Sequence, residues 1–197
     1  GFGQTQARAG VGALENYAEF LDHFLKKIEV KKPHACIGHS NGAAVLICGL
    51  GKGVLQTDRF IGIAAAGIRT NGNARRTVFK VMAKTGKAAT FYLPTGTKRK
   101  LRKKLYGVAG SDMLVVPQLQ ETFKRTVRQD VQDEASKIKI PTLLIYGSKD
   151  TATPIADGRR FHELIKDSDL KTVEDASHYV HQEQHQIVLN YIKEFLG

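Results

Sequence analysis

Two cysteines, five prolines and no apolar run of membrane-spanning length set the first limits on this 197-residue chain. Cys36 and Cys48 both lie inside apolar stretches. They exclude a disulfide framework and suit a reducing compartment, so a cytoplasmic location is expected. No Cys/His spacing of the zinc type occurs, and no metal is expected. The longest apolar runs, Ala43–Leu50 and Ile61–Ile68, fall far short of the roughly 18 residues that a membrane span needs. Gly1–Gly12 has no apolar core of the kind found in a secretory signal. Nineteen scattered glycines and few prolines exclude a collagen-like or Pro-rich chain. What remains, 42% hydrophobic and 25% charged residues, is the balance of a soluble globular protein of one domain, or two small ones.

Acidic residues are scarce in one internal segment. Between Arg69 and Lys139 there are 17 Lys and Arg against 5 Asp and Glu, whereas the rest of the chain holds 13 against 14. The whole basic excess therefore sits in that segment, and any electrostatic function belongs there.

The flanking parts alternate between two periodicities. Leu14, Tyr17, Ala18, Leu21, Phe24, Leu25 and Ile28 recur at helical steps. Ala35–Gly38, Arg59–Ala64, Pro141–Tyr146 and the shorter Lys171–Val173 read as strands. Asn41–Leu50 and Gly158–Lys166 read as helices, and Gln184, Ile187, Val188, Tyr191, Ile192, Phe195 and Leu196 line the face of a terminal helix. Near-continuous apolar strands alternating with helices predict a short, mostly parallel sheet covered on both sides. The middle segment instead shows basic helical stretches, Ala74–Lys84, Lys98–Leu105 and Pro117–Val131, without a convincing strand. The expected organisation is a first core part, 1–68, a basic helical insertion, 69–139, and a second core part, 140–197.

Gly38-His39-Ser40-Asn41-Gly42 is a G-x-S-x-G sequence lying between a predicted strand and a predicted helix. A serine on such a sharp turn projects from the sheet edge, and small neighbours let adjacent chain approach. Alone, the five letters also fit an ordinary Gly-rich turn. A serine nucleophile needs a base, and the base needs an orienting acid. Asp150 follows a buried strand and His178 follows the next, giving the order Ser, acid, His at one sheet edge. A solvated acid and a surface histidine beside His181 and His185 are the plainer alternatives for these two.

With these residues in view, the chain resembles the α/β-hydrolase fold family, of the esterase or lipase-like type with a helical cap. The resemblance rests on GHSNG at 38–42, PTLLIYGSKDTATP at 141–154 and DASHYVHQE at 175–183. It implies Ser40 as nucleophile, Asp150 as acid, His178 as base and the Asn41 N–H as an oxyanion donor. Gly1–Thr5 resembles the loop after the fourth strand of such enzymes. The earlier strands and the His-Gly loop that gives a second oxyanion donor would then be missing, so the chain reads as a shortened hydrolase or as a fragment of a longer one.

The expected activity is hydrolysis of small carboxylic esters through an acyl-enzyme, with no cofactor. His39, Tyr106 and Met113 are candidate substrate contacts, although Tyr106 and Met113, with Leu114, suit a cap core better than an acyl pocket. His181 and His185 at helical spacing suit a metal site, but an exposed helix start explains them as well. Two alternatives stand beside the esterase. One is a catalytically weak remnant serving as a binding module. The other is a carboxylesterase whose basic cap, around Lys98, Arg99, Lys100, Arg102, Lys103 and Lys104, takes an acidic acyl carrier. No RNA- or DNA-binding motif points to a nucleic-acid partner. The strand before Ser40 is expected at an open sheet edge, which invites a homo-oligomer.

Overall fold

The computed structural model describes residues 12–69 and 120–197. Gly1–Thr5, the stretches Ala74–Lys84 and Lys98–Leu105 that the sequence predicts as helices, and the candidate residues Tyr106, Met113 and Leu114 lie outside the described residues. Four strands, β1 (Ala35–His39), β2 (Arg59–Ile63), β3 (Thr142–Gly147) and β4 (Ser168–Val173), form one sheet in that spatial order. All three pairings are parallel. Parallel pairing forces every strand to start at the same edge, so the loops after β1, β2, β3 and β4 gather at the opposite one.

Alternation along the strands divides the core in two. Phe60, Leu144 and Tyr146 face a cluster with α1 (Leu14–Lys27), α2 (Asn41–Gly51) and α5 (Ile155–Leu164). Ile61, Ile63, Leu143 and Ile145 face the other side, where α7 (His185–Leu196) packs through Val188, Tyr191, Ile192, Phe195 and Leu196. The short helices α3 (Gln120–Thr126), α4 (Gln132–Ala135) and α6 (Val180–Glu183) complete the described elements. Among the described residues no helix is long and apolar enough to cross a membrane.

The basic segment leaves and rejoins this core at one place. The Arg69 N–H donates to Asp130 at 2.7 Å, its guanidinium donates to the Val127 carbonyl, and the Val131 N–H donates to Gly67 at 3.0 Å. On its return, Val131, Ala135 and Ile138 are buried against α2 and the sheet. Two side chains of the returning limb also cap α1: Thr122 takes the Gly12 N–H at 3.1 Å and Gln129 the Leu14 N–H at 2.7 Å. The Leu14 N–H is a donor that a helix start leaves without an intrahelical partner, and Gly12 leads into the N-cap Ala13.

Several expected boundaries shift, each for a local reason. The stretch 117–131 is not one helix: α3 stops at Thr126, and the Asp130 carboxylate turns the chain by taking the Gln132 N–H at 2.9 Å. α5 begins at Ile155, just after Pro154, rather than at Gly158. Gly158 is instead where helix and strand touch, because a Cβ there would meet the Tyr146 ring at 2.7 Å. β4 starts at Ser168, not Lys171, since its polar residues suit a sheet edge and break the apolar run. On α7, Ile187 is exposed rather than inward, as is Leu189.

The two glycines around Ser40 differ in what they do. A Cβ on Gly38 would lie 2.7 Å from the Ala43 backbone, whereas one on Gly42 would meet nothing among the described residues. Gly38→Ala is therefore expected to cost about 1–3 kcal/mol, as overpacking does. Gly42→Ala is expected to leave stability unchanged or raise it by up to about 1 kcal/mol, because alanine favours helix. Urea unfolding of the two variants checks the contrast.

Candidate active site

Ser40 joins β1 to α2 at φ 53° and ψ −118°, a backbone conformation that a side chain rarely adopts. Three hydrogen bonds hold it there. The Ser40 N–H donates to the Ile63 carbonyl at 2.9 Å, and the Ser40 carbonyl accepts from Ala44 at 3.2 Å and Ala66 at 3.1 Å. α2 then starts at Asn41, directly after Ser40, and the first N–H groups of a helix have no partner within it. Such a helix start favours negative charge. The Asn41 side-chain Oδ1 is buried and has no hydrogen-bond partner among the described residues.

Asp150 sits three residues beyond β3 and is 5% exposed. Its Oδ1 accepts the Ala152 and Thr153 N–H groups at 2.7 and 2.9 Å. Its Oδ2 accepts the Thr153 hydroxyl at 2.7 Å and faces His178 Nδ1 at 2.8 Å. Burial pushes the carboxyl pKa up, but the bonds from His178, the Thr153 hydroxyl and the Thr153 N–H outweigh it and hold the group below the usual carboxylate range. Asp150 is thus an ionised, acceptor-only group.

His178 lies in the loop after β4 and is 8% exposed. Because the carboxylate only accepts, Nδ1 must carry the imidazole proton. Nε2 is then a free acceptor, and it stands 3.0 Å from Ser40 Oγ. The loop reaches this position by crossing closely over the end of β3. A Cβ on Gly147 would lie 2.3 Å from the Ala176 carbonyl, and the Lys149 N–H donates to that same carbonyl at 2.9 Å. Lys149 and Asp175 pair at 2.8 Å on the outside.

The structure thus brings together Ser40, Asn41, Asp150 and His178, and also His39. The His39 Nε2 is bonded to the His178 backbone carbonyl at 2.9 Å. His181 is half-buried with its ring 4.6 Å from His39, so an exposed helix start does not describe it; His185 is exposed. Among the described residues no cluster of three or more metal-ligating side chains is arranged around an ion site. Sequence reasoning missed Thr153, whose hydroxyl lies within hydrogen-bond reach of Asp150, the Ala64 carbonyl and His178 Nδ1. Its signal was local: a threonine three residues after an aspartate, ahead of a proline, is the pattern of an Asx-type turn.

An acid whose folded pKa is depressed contributes stability above the ordinary carboxylate range and loses it as pH falls through the folded value. Thr153→Val removes one donor from buried Asp150, so its pKa should rise. Acid unfolding should then move to higher pH, with a cost at neutral pH of about 1–3 kcal/mol. Carboxyl titration by carbon NMR, with denaturation at pH 7, reads both.

Comparison with known proteins follows the same lines. The family model described as serine aminopeptidase, S33, a hydrolase family, matches residues 1–185. A bromoperoxidase from Bacillus anthracis superposes with a TM-score of 0.73 at 17% identity, covering 100% of this chain and 78% of that one. A hydrolase from Pseudomonas aeruginosa gives a TM-score of 0.69 at 20% identity over 99% of this chain and 76% of that one. A curated pimeloyl-[acyl-carrier protein] methyl ester esterase of Neisseria meningitidis is 38% identical over 60 residues, 30% of this chain. That match spans only 23% of the length of the curated relative. The family match over nearly the whole chain, on a parallel sheet with these solved neighbours, makes this chain a member of the serine aminopeptidase S33 family of α/β hydrolases.

Proposed function

We propose that the chain is a serine hydrolase of small carboxylic esters, working through an acyl-enzyme on Ser40. The observation that carries this reading is the unbroken line from Ser40 Oγ to His178 Nε2 at 3.0 Å and from His178 Nδ1 to Asp150 Oδ2 at 2.8 Å. Ser40 Oγ attacks the ester carbonyl as His178 Nε2 takes its proton. The carbonyl oxygen becomes negative and is met by the Asn41 N–H at the start of α2. One such donor is worth about 10²–10³ in rate. The carbonyl re-forms, the C–O bond to the alcohol breaks, and the imidazolium gives its proton to that oxygen. Water then attacks the acyl group by the same route, releasing the acid and restoring Ser40. Asp150 stays ionised throughout, keeping the proton on Nδ1 and stabilising the imidazolium.

In this reading residues 1–68 and 140–197 are the core and 69–139 a cap over the site. A second reading refines the substrate. The curated relatives include esterases named for a pimeloyl ester on an acyl carrier, and the 69–139 segment carries 17 basic residues against 5 acidic. An acidic carrier holding the ester against that segment fits both. The wild-type chain is expected to hydrolyse p-nitrophenyl acetate, while Ser40→Ala and His178→Ala fall to background. Asp150→Asn should lose about 10²–10⁴ in kcat, because it allows the wrong tautomer. Full activity in folded Ser40→Ala would remove the reading. A carrier-borne methyl ester cleaved faster than its free counterpart at low salt, but not at 1 M, would favour the carrier version.

We also propose self-association along β1. It is one of the two edge strands of the described sheet, the other being β4, and Ile37 on it is 51% exposed. Phe20 and Phe24 on α1 and Ile28 just after it are exposed as well. An apolar edge with free N–H and C=O groups favours pairing with a second copy. Sedimentation at micromolar concentration should give at least a dimer, and Ile37→Asp should shift it to monomer. A monomer in the wild type would contradict the proposal.

A further inference from the structure

His39, a candidate substrate contact in the sequence, takes no chemical step in the hydrolase reading, although it is the side chain next to Ser40 at the end of β1. Its Nε2 is 2.9 Å from the His178 carbonyl. A carbonyl can only accept, so Nε2 carries the His39 proton and donates it. The ring packs among three others, with centroids 4.8 Å from His178, 4.6 Å from His181 and 5.5 Å from Tyr179. Burial holds its pKa below that of an ordinary histidine, and the His178 and His181 imidazoles act in the same direction. The bond to the His178 carbonyl and the Asp150 charge oppose this without overcoming it. The neutral form of the ring facing the base is thereby favoured.

The loop that carries His178 is irregular, with Asp175 at φ 59°. Its other tethers pull elsewhere. The Asp175 N–H donates to Ser148 Oγ at 3.0 Å, and the Ala176 carbonyl accepts from Lys149. The Ser177 N–H donates to Glu183 at 2.7 Å. These bonds tie the loop to the acid loop and to α6. The bond from His39 ties it to the strand that carries Ser40, between residues 139 apart in sequence.

We propose that His39 is a positioning residue for the base: its N–H holds the His178 backbone, and its ring packs against the His178 imidazole, so that Nε2 stays within reach of Ser40 Oγ. The proposal rests on the reading of His178 as the base. A displacement of about 1 Å in a reacting group can cost about 10²-fold in rate, so a single backbone tether is enough to matter.

Three variants test it, each measured on p-nitrophenyl acetate and by hydrogen exchange of amides 177–180. His39→Ala should lower kcat about 10–100-fold with KM nearly unchanged, and should speed exchange in the loop. His39→Gln, whose side-chain N–H reaches the same carbonyl, should restore most of the rate and the slow exchange. Wild-type kcat in folded His39→Ala would overturn the proposal, and so would equal losses in the Ala and Gln variants. If the alanine variant does not fold, His39→Phe, which keeps a ring and lacks the donor, takes its place in the comparison with Gln. If the wild type itself hydrolyses no ester, the hydrolase reading fails. The exchange pattern then decides the tether alone: fast in Ala and slow in Gln supports it, and no difference overturns it.

Discussion

The backbone at Ser40 is the constraint on which the rest depends. A non-glycine residue at φ 53° costs of order 1–3 kcal/mol, and it persists only where its surroundings over-determine it. Here they do. The Ser40 N–H and carbonyl are both engaged, by Ile63 on one side and by Ala44 and Ala66 on the other. The same turn throws α2 back across the sheet, where Ala43, Ala44, Leu46, Ile47 and Cys48 are buried. It also sets the serine hydroxyl at the start of α2, 3.0 Å from His178 Nε2.

Opposite this turn, a buried carboxylate must be kept charged. An unpaired carboxylate in such a place would be expensive, and it would take up a proton instead. Asp150 avoids this by accepting from two backbone N–H groups, the Thr153 hydroxyl and His178. That set of donors fixes the histidine tautomer as a by-product. Elsewhere, Glu15 between Lys52 and Gln129 is held down to about 2 by their hydrogen bonds, and it joins α1 to α2 and to the returning limb of the basic segment. Charge in this chain is thus used to pin segments that are distant in sequence.

Much of this was legible from residues alone. The strands Ala35–His39 and Thr142–Gly147 read clearly because they are apolar runs bounded by glycine, and Ser40, Asp150 and His178 follow strand ends in a fixed order. β4 was only half visible, since the polar residues of an edge strand carry no continuous apolar signal. Gly158 misled because a glycine chosen for contact with Tyr146 looks like a helix boundary. Thr153, and the bond from His39 (a candidate substrate contact in the sequence) to the His178 carbonyl, were hidden for a different reason. Their partners are a carboxylate and a backbone carbonyl brought close only by the fold, and no periodicity in the chain points to either.

The central claim is that Ser40 is a nucleophile activated by His178. It is tested most directly by treating the folded chain with a fluorophosphonate and mapping the adduct by peptide mass spectrometry. The account predicts one adduct, on Ser40, formed in the wild type and lost when His178 is replaced by alanine. Labelling elsewhere, or labelling of Ser40 that does not depend on His178, would contradict it.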